Sequence, residues 1–156
     1  MRVTITVAIA TSVAAVSVSV AMRRDIGKPS MAIMQPEAIH KITLTIGKTT
    51  LSATLFENPT ARDFATTLPF EADMRDLFWQ EKAGRTARAL STSGPAQRDF
   101  EVGDIGYWSP STDVAIYYRD GDKLPSPGII MIGKVDGDIS VLRISGKVRV
   151  RFARAD

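Results

Sequence analysis

The chain has no cysteine and a single histidine among its 156 residues. A disulfide framework and thiol chemistry are therefore excluded, because each needs a sulfur that is absent. A zinc site of the Cys/His kind is excluded for the same reason. Carboxylates remain as metal donors, but Asp120-Gly121-Asp122 and Asp136-Gly137-Asp138 lack the spaced oxygen ligands of a calcium loop. Both read as hairpin turns, and no metal site is expected. His40 stands just before a predicted strand, and no G-x-S-x-G elbow accompanies it. A Ser-His-Asp triad has no scaffold here, and the plainer reading of His40 is an exposed residue at a strand start. No glycine-rich phosphate loop is present, since Gly103 and Gly106 lack the lysine and spacing of one. No cofactor is implied, and no catalytic residue is assigned.

Charge of one sign is also in short supply. Twenty Lys and Arg against 17 Asp and Glu leave a formal charge of +3. Phosphate backbones are bound by clustered cations rather than by a slight excess, so no nucleic-acid partner is expected. One basic stripe exists. Lys147, Arg149 and Arg151 share one face of a predicted strand, with Val148, Val150 and Phe152 on the other. Such a face serves to discourage sheet-to-sheet association; the sharper reading is an anionic partner.

From Val3 to Met22 there is no charged residue, and Arg2 precedes the run. This is the pattern of a signal peptide, with Ser19-Val20-Ala21 offering small residues at a cleavage site. The run is long for that purpose, and Arg23, Arg24 and Lys28 follow it. An uncleaved membrane anchor and a true start at Met22 in a cytoplasmic protein are the alternatives. The predicted organisation is a leader at residues 1–21, a flexible linker at 22–39 and one domain at 40–156, exported to the periplasm or beyond. A membrane partner follows only if the leader stays attached.

The clearest local signals lie between His40 and Phe70. Ile42, Leu44 and Ile46 alternate with Thr43 and Thr45, the period-2 pattern of a half-buried strand. Gly47-Lys48 then suits a two-residue II′ turn. Leu51, Ala53 and Leu55 resume the alternation. Asn58 is a good helix N-cap and Pro59 fits the first helical position. Ala61, Phe64, Ala65 and Leu68 form an apolar stripe, which predicts a helix over 59–67. Pro69 ends it by restricting Leu68. Further on, Phe70, Ala72 and Met74 alternate as a strand. Residues 80–85 read as a polar turn, and Thr86 to Leu90 as a short strand. Ile105 to Trp108, Val114 to Tyr118, Ile129 to Val135 and Val148 to Phe152 read as strands. The third of these, nearly all apolar, reads as buried on both faces. Many short strands with one good helix predict a mainly β fold, a small closed barrel.

The run Asn58-Pro59-Thr60-Ala61, then Phe64-Ala65, then Leu68-Pro69 resembles a signature of the cyclophilin-like small-barrel family of bacteria and archaea, whose members are largely of unknown function. Glu81-Lys82, Gly103-Asp104-Ile105 with Tyr107-Trp108, Ala115 to Tyr118, and Ile132-Gly133-Lys134 extend the resemblance to the C-terminus. It implies a closed cyclophilin-like β-barrel with one or two short helices. It does not imply prolyl isomerase activity. Cyclophilin catalysis relies on an arginine beside an apolar proline pocket, within a run of the type F-x-x-P-x-x-R-x-x-x-G-x-x-x-Q-x-G-D, and this chain holds at most the Gly103-Asp104 fragment. An arginine beside an open apolar groove would nevertheless favour an atypical isomerase; a filled groove would favour a structural barrel.

The aromatic set Trp79, Tyr107, Trp108, Tyr117 and Tyr118 is the best source of a ligand cleft. Alternation forbids Tyr107 and Trp108 from sharing one face, so one of them turns outward. Glu81-Lys82, close to Arg85, is either a solvated turn or the polar part of a pocket. The candidate ligand-binding residues are Glu81, Arg98, Tyr107 and Trp108. The expected partner is a small molecule or an extended peptide.

Overall fold

Gly47 takes the positive φ (59°) that a tight hairpin needs, and the chain reverses between β1 (Lys41–Ile46) and β2 (Thr49–Leu55). The computed structural model describes residues 41–155. The predicted leader, the linker and His40 lie outside the described residues. After β2, the Asn58 side-chain oxygen accepts the Ala61 N–H at 2.9 Å, which starts helix α1 (Pro59–Ala65). The helix is shorter than predicted: Thr66 and Thr67 donate their N–H groups to Asp63 and Phe64 in a tightened last turn.

Seven more strands follow. They are β3 (Phe70–Leu77), β4 (Glu81–Arg85), the two-residue β5 (Ala96–Gln97), β6 (Asp104–Trp108), β7 (Asp113–Tyr117), β8 (Ile129–Asp136) and β9 (Val148–Arg154). Neighbours run in the order β2-β1-β9-β3-β4-β7-β6-β8, and β8 pairs back onto β2. Every pairing is antiparallel, so eight strands close a barrel and leave no free edge among them. β5 adds only a short flap to β8. A 3₁₀ turn (Ser140–Arg143), not foreseen in the sequence, precedes β9.

The barrel is filled by inward residues such as Ile42, Leu44, Ile105, Tyr107, Ile116, Ile132 and Val150. Phe64 of α1 meets Phe70 and Phe152 edge-on, at centroid distances of 5.7 and 5.8 Å, and stoppers one end. At the other end Leu142 of the 3₁₀ turn is fully buried. There the buried Lys82 ammonium reaches Asp76 at 2.7 Å and the carbonyls of Ile144 and Gly146 at 2.6 and 2.9 Å. Tyr118 donates to the same carboxylate at 2.8 Å. A buried charge is tolerable only when so fully paired. Burial and the Asp76 bond push the Tyr118 phenol up to about 12.

Two sequence readings are corrected. Residues 81–85 are not a polar turn but β4, held between β3 and β7 with its first four residues buried. Thr86 to Leu90 is not a strand; Thr86 instead ties the loop to the Thr112 carbonyl through its N–H and its hydroxyl.

Candidate functional site

The residues of β3, β4, β7, β6 and β8 that point away from the barrel axis build a second layer. Register places Leu77, Glu81 and Tyr117 side by side, then Arg75, Ala83, Ala115 and Gly106, then Asp113 beside Trp108. Small side chains at Ala83, Ala115 and Gly106 leave a hollow on the sheet. Ile129 drops into part of it: a Cβ on Gly106 would meet the Ile129 side chain at 2.4 Å, so that position needs glycine. The loop after β7 folds over the rest and brings Leu124 and Pro125. Phe100, from the loop before β6, stacks on the Tyr117 ring at 4.0 Å between centroids.

What remains open is a cleft of about 220 Å³. Its floor is Ala83, Ala115 and Tyr117, its far wall Leu124, Pro125 and Ile129, and its rim Phe78 and Trp108. This is smaller than the roughly 300–1,000 Å³ of sites for drug-sized ligands, so it fits a compact group. Phe78 reaches the rim through an unusual turn. Leu77-Phe78-Trp79-Gln80 is a tight turn closed by the Gln80 N–H on the Leu77 carbonyl at 3.1 Å, within a three-residue hairpin loop that pairs Leu77 with Glu81. Both central residues have positive φ, 54° and 57°. Asn-Gly is the usual choice there; here two aromatic side chains are held out in solvent, 78% and 67% exposed.

Two polar groups lie at the base of the cleft. The Glu81 side chain is buried, only 6% of the residue being exposed. Burial raises its pKa above the usual carboxylate value, and Asp113 adds to this; Tyr117 and Arg75 oppose it. The Tyr117 hydroxyl beside it is fully buried and has no partner at hydrogen-bond distance among the described residues; its favourable effect on the Glu81 carboxylate acts across a longer gap. Burial and the neighbouring Glu81 charge raise its pKa as well. A buried polar group left wholly unpaired costs about 1–3 kcal/mol; Glu81 offsets only part of that for this hydroxyl, being near it but not at hydrogen-bond distance. The other charges of the cleft are already matched: Arg75 donates to Asp113 at 2.9 Å, and Ser111 donates to the same oxygen at 2.9 Å.

The four residues singled out in the sequence separate in space. Glu81 and Trp108 both line the cleft. Arg98 does not line it but supports its wall: its Nε donates to the Leu124 carbonyl at 2.7 Å, while the Leu124 N–H donates to the Arg98 carbonyl at 2.8 Å. Tyr107 points into the barrel, on the opposite face of the sheet, where its hydroxyl accepts the Leu90 N–H at 3.1 Å. Tyr117, Arg75, Asp113 and Phe78 were not singled out as site residues. The first and third could have been found by placing Glu81 and Trp108 in register with β7, but the register itself was not readable.

A second, wider groove runs between the start of α1 and the loop before β6, lined by Phe56, Gln97, Glu101 and Lys134 among others. Its polar groups are spent on one another. Lys134 is bonded to Glu101 and lies 3.5 Å from Asp104, and Asn58 caps α1 and donates to the Met131 carbonyl at 2.8 Å. No cluster of His, Cys, Asp and Glu among the described residues could hold a metal ion.

Residues 44–153 match the family described as the cyclophilin-like family. The chain belongs to the cyclophilin-like family. The match spans β1 to β9, so the whole closed barrel is family architecture. Among solved structures, the cyclophilin-like chain is similar to the hypothetical protein AF2241 from Archaeoglobus fulgidus, with a TM-score of 0.63 at 19% identity. That likeness covers 78% of this chain and 100% of the archaeal one; at such identity it speaks for the fold. No curated protein matches the sequence.

Proposed function

We propose that this cyclophilin-like domain is a binding module for a small molecule or a side chain of an extended peptide, received in the cleft between Glu81 and Trp108. One observation carries the reading. A buried carboxylate and an unpartnered buried hydroxyl sit together at the base of an apolar cleft that opens to solvent. Apolar walls with a few convergent polar groups are what a ligand site needs, and a packing core gains nothing from leaving Tyr117 unpaired. A thermal-shift screen of a broad metabolite and peptide library tests it. Hits should stabilise the wild-type protein and lose that effect in Trp108→Ala and Glu81→Ala. Hits that stabilise all three proteins equally would place the ligand elsewhere.

Prolyl isomerisation is the weaker reading. It asks for an arginine free to meet a peptide carbonyl beside an apolar groove. Arg75 lies beside this cleft, but its guanidinium is engaged by Asp113, and the Arg98 Nε is engaged by Leu124. Clear turnover in a protease-coupled proline-peptide assay would reverse that ranking. We also propose that the domain works after export, on the strength of the uncharged run at residues 3–22. An intact Met1 on the mature native protein would contradict cleavage.

A further inference from the structure

We propose that the group this cleft receives is an ammonium on a compact apolar or aromatic body, seated against the Glu81 carboxylate and the Tyr117 hydroxyl under the rings of Phe78 and Trp108. This rests on reading the cleft as a ligand site and adds the chemistry of the ligand.

Arg75 and Asp113 pair with each other across 2.9 Å, which leaves Glu81, among the described residues that line the cleft, as the charged group without an ion-pair partner of its own. An ionised carboxylate accepts hydrogen bonds only, and the Tyr117 oxygen beside it also has room to accept. A ligand that brings several N–H donors on one atom satisfies both, and an ammonium brings three. A carboxylate or phosphate ligand would meet Glu81 as a like charge. A plain hydrocarbon would cover both polar groups without pairing either, at the full desolvation cost. The rim adds to the preference, since faces of Trp and Phe attract cations. The walls at Leu124, Pro125 and Ile129 ask for an apolar body behind the nitrogen.

The charged and titratable groups facing Glu81 are Arg75 from β3 and Asp113 and Tyr117 from β7. Asp104 of β6 acts on Tyr117, and the covering loop presents only the apolar Leu124 and Pro125 to the cleft. Burial raises the Glu81 carboxyl above its ordinary value, and an arriving ammonium opposes that rise by stabilising the carboxylate. At a pH within the Glu81 titration, binding therefore releases a proton from Glu81 to solvent. Affinity therefore rises with pH through the Glu81 titration, and falls only when the amine itself loses its proton, near pH ~10.

The test uses the full chain and three probes of one shape: phenethylamine, 2-phenylethanol and phenylacetate. The indole N–H signal of Trp108 is followed by NMR during titration, with the outward Trp79 signal as a control. The amine is expected to bind about tenfold more tightly than the alcohol, the worth of one charge-assisted contact, and the acid not to bind. Glu81→Gln should remove the advantage of the amine and leave the alcohol unchanged. Tyr117→Phe should weaken the amine by a smaller factor. A blocked lysyl peptide and its acetyl-lysine counterpart then separate the sources: tighter binding of the lysyl peptide points to a protein side chain, weaker binding to a free amine. If the alcohol binds as well as the amine, or Glu81→Gln keeps the preference, the inference is wrong while the cleft remains a ligand site. If no probe moves Trp108, both readings fail.

Discussion

On the wall made by β1, β9 and β3, the outward residues are Thr43 and Thr45, then Arg149 and Arg151, then Glu71 and Asp73. On the wall made by β4, β7 and β6 they are Glu81 and Ala83, then Asp113, Ala115 and Tyr117, then Gly106 and Trp108. Both walls enclose the same interior with the same antiparallel pairing. The first wall faces water and matches its charges strand to strand, Arg149 with Asp73 at 2.7 Å and Arg151 with Glu71 at 3.5 Å. The second is covered by loops that build an additional apolar layer. The basic stripe of β9 is thus balanced by its neighbours on β3. The proposed recognition falls on the wall where the outer residues are small and apolar and leave a cleft.

Substitutions on the two walls should separate sharply. Phe100→Ala removes the ring that stacks on Tyr117 and should cost about 3–5 kcal/mol, as for other buried aromatic truncations. Urea denaturation measures it, and a loss under about 1 kcal/mol would mean that the outer layer is not a true core. Glu81→Gln should stabilise the protein by about 1–2 kcal/mol at a pH where Glu81 is ionised in the folded protein, because a desolvated charge is removed. The sign follows from linkage. Glu81 has a raised pKa in the folded protein, so stability falls as pH rises from about the ordinary 4.5 through the folded value. The gain from the Gln variant should therefore vanish in acid and be full above that window; a gain independent of pH would show that charge is not the cause. Arg98→Ala loses the tie to Leu124 and should cost about 1 kcal/mol, with faster amide exchange confined to residues 120–128. Uniform acceleration across the barrel would contradict a purely local role. Arg149→Ala, on the wet wall, should leave the melting temperature unchanged.

The same contrast explains what could be read in advance. The hairpin at Gly47, the Asn58 cap and the strands of the wet wall obey local rules: alternation, capping and turn chemistry lie within a few residues of one another. β4 breaks those rules. Glu81, Lys82 and Gly84 are poor strand formers, and they form one because β3 and β7 hold them on both sides and because Asp76 and two carbonyls wait for the ammonium. Asp76 is only six residues away, but β7 and the carbonyls of Ile144 and Gly146 are distant in sequence. Alternation correctly separated Tyr107 from Trp108 but could not say which faced inward. It also failed to anticipate that Tyr117 and Tyr118 are both buried, since each lies under a different layer. Asp63 lies off the apolar stripe of α1, yet it receives Arg88 and the Ser91 N–H at 2.6 Å and fastens the loop after β4 to α1. Glu81 and Trp108 were picked out through family resemblance and aromatic clustering, and their common cleft appears only once the sheet is in register.

The Phe78-Trp79 turn sets stability and recognition against each other at a single dipeptide. Two non-glycine residues in left-handed backbone conformation each cost on the order of 1 kcal/mol, and an Asn-Gly pair would recover most of it. A search for stabilised variants would find that exchange early. It would also strip Phe78 from the mouth of the cleft. If the cleft binds as proposed, a more durable barrel obtained this way would be a blunter receptor, and thermostability would be a poor guide to its function.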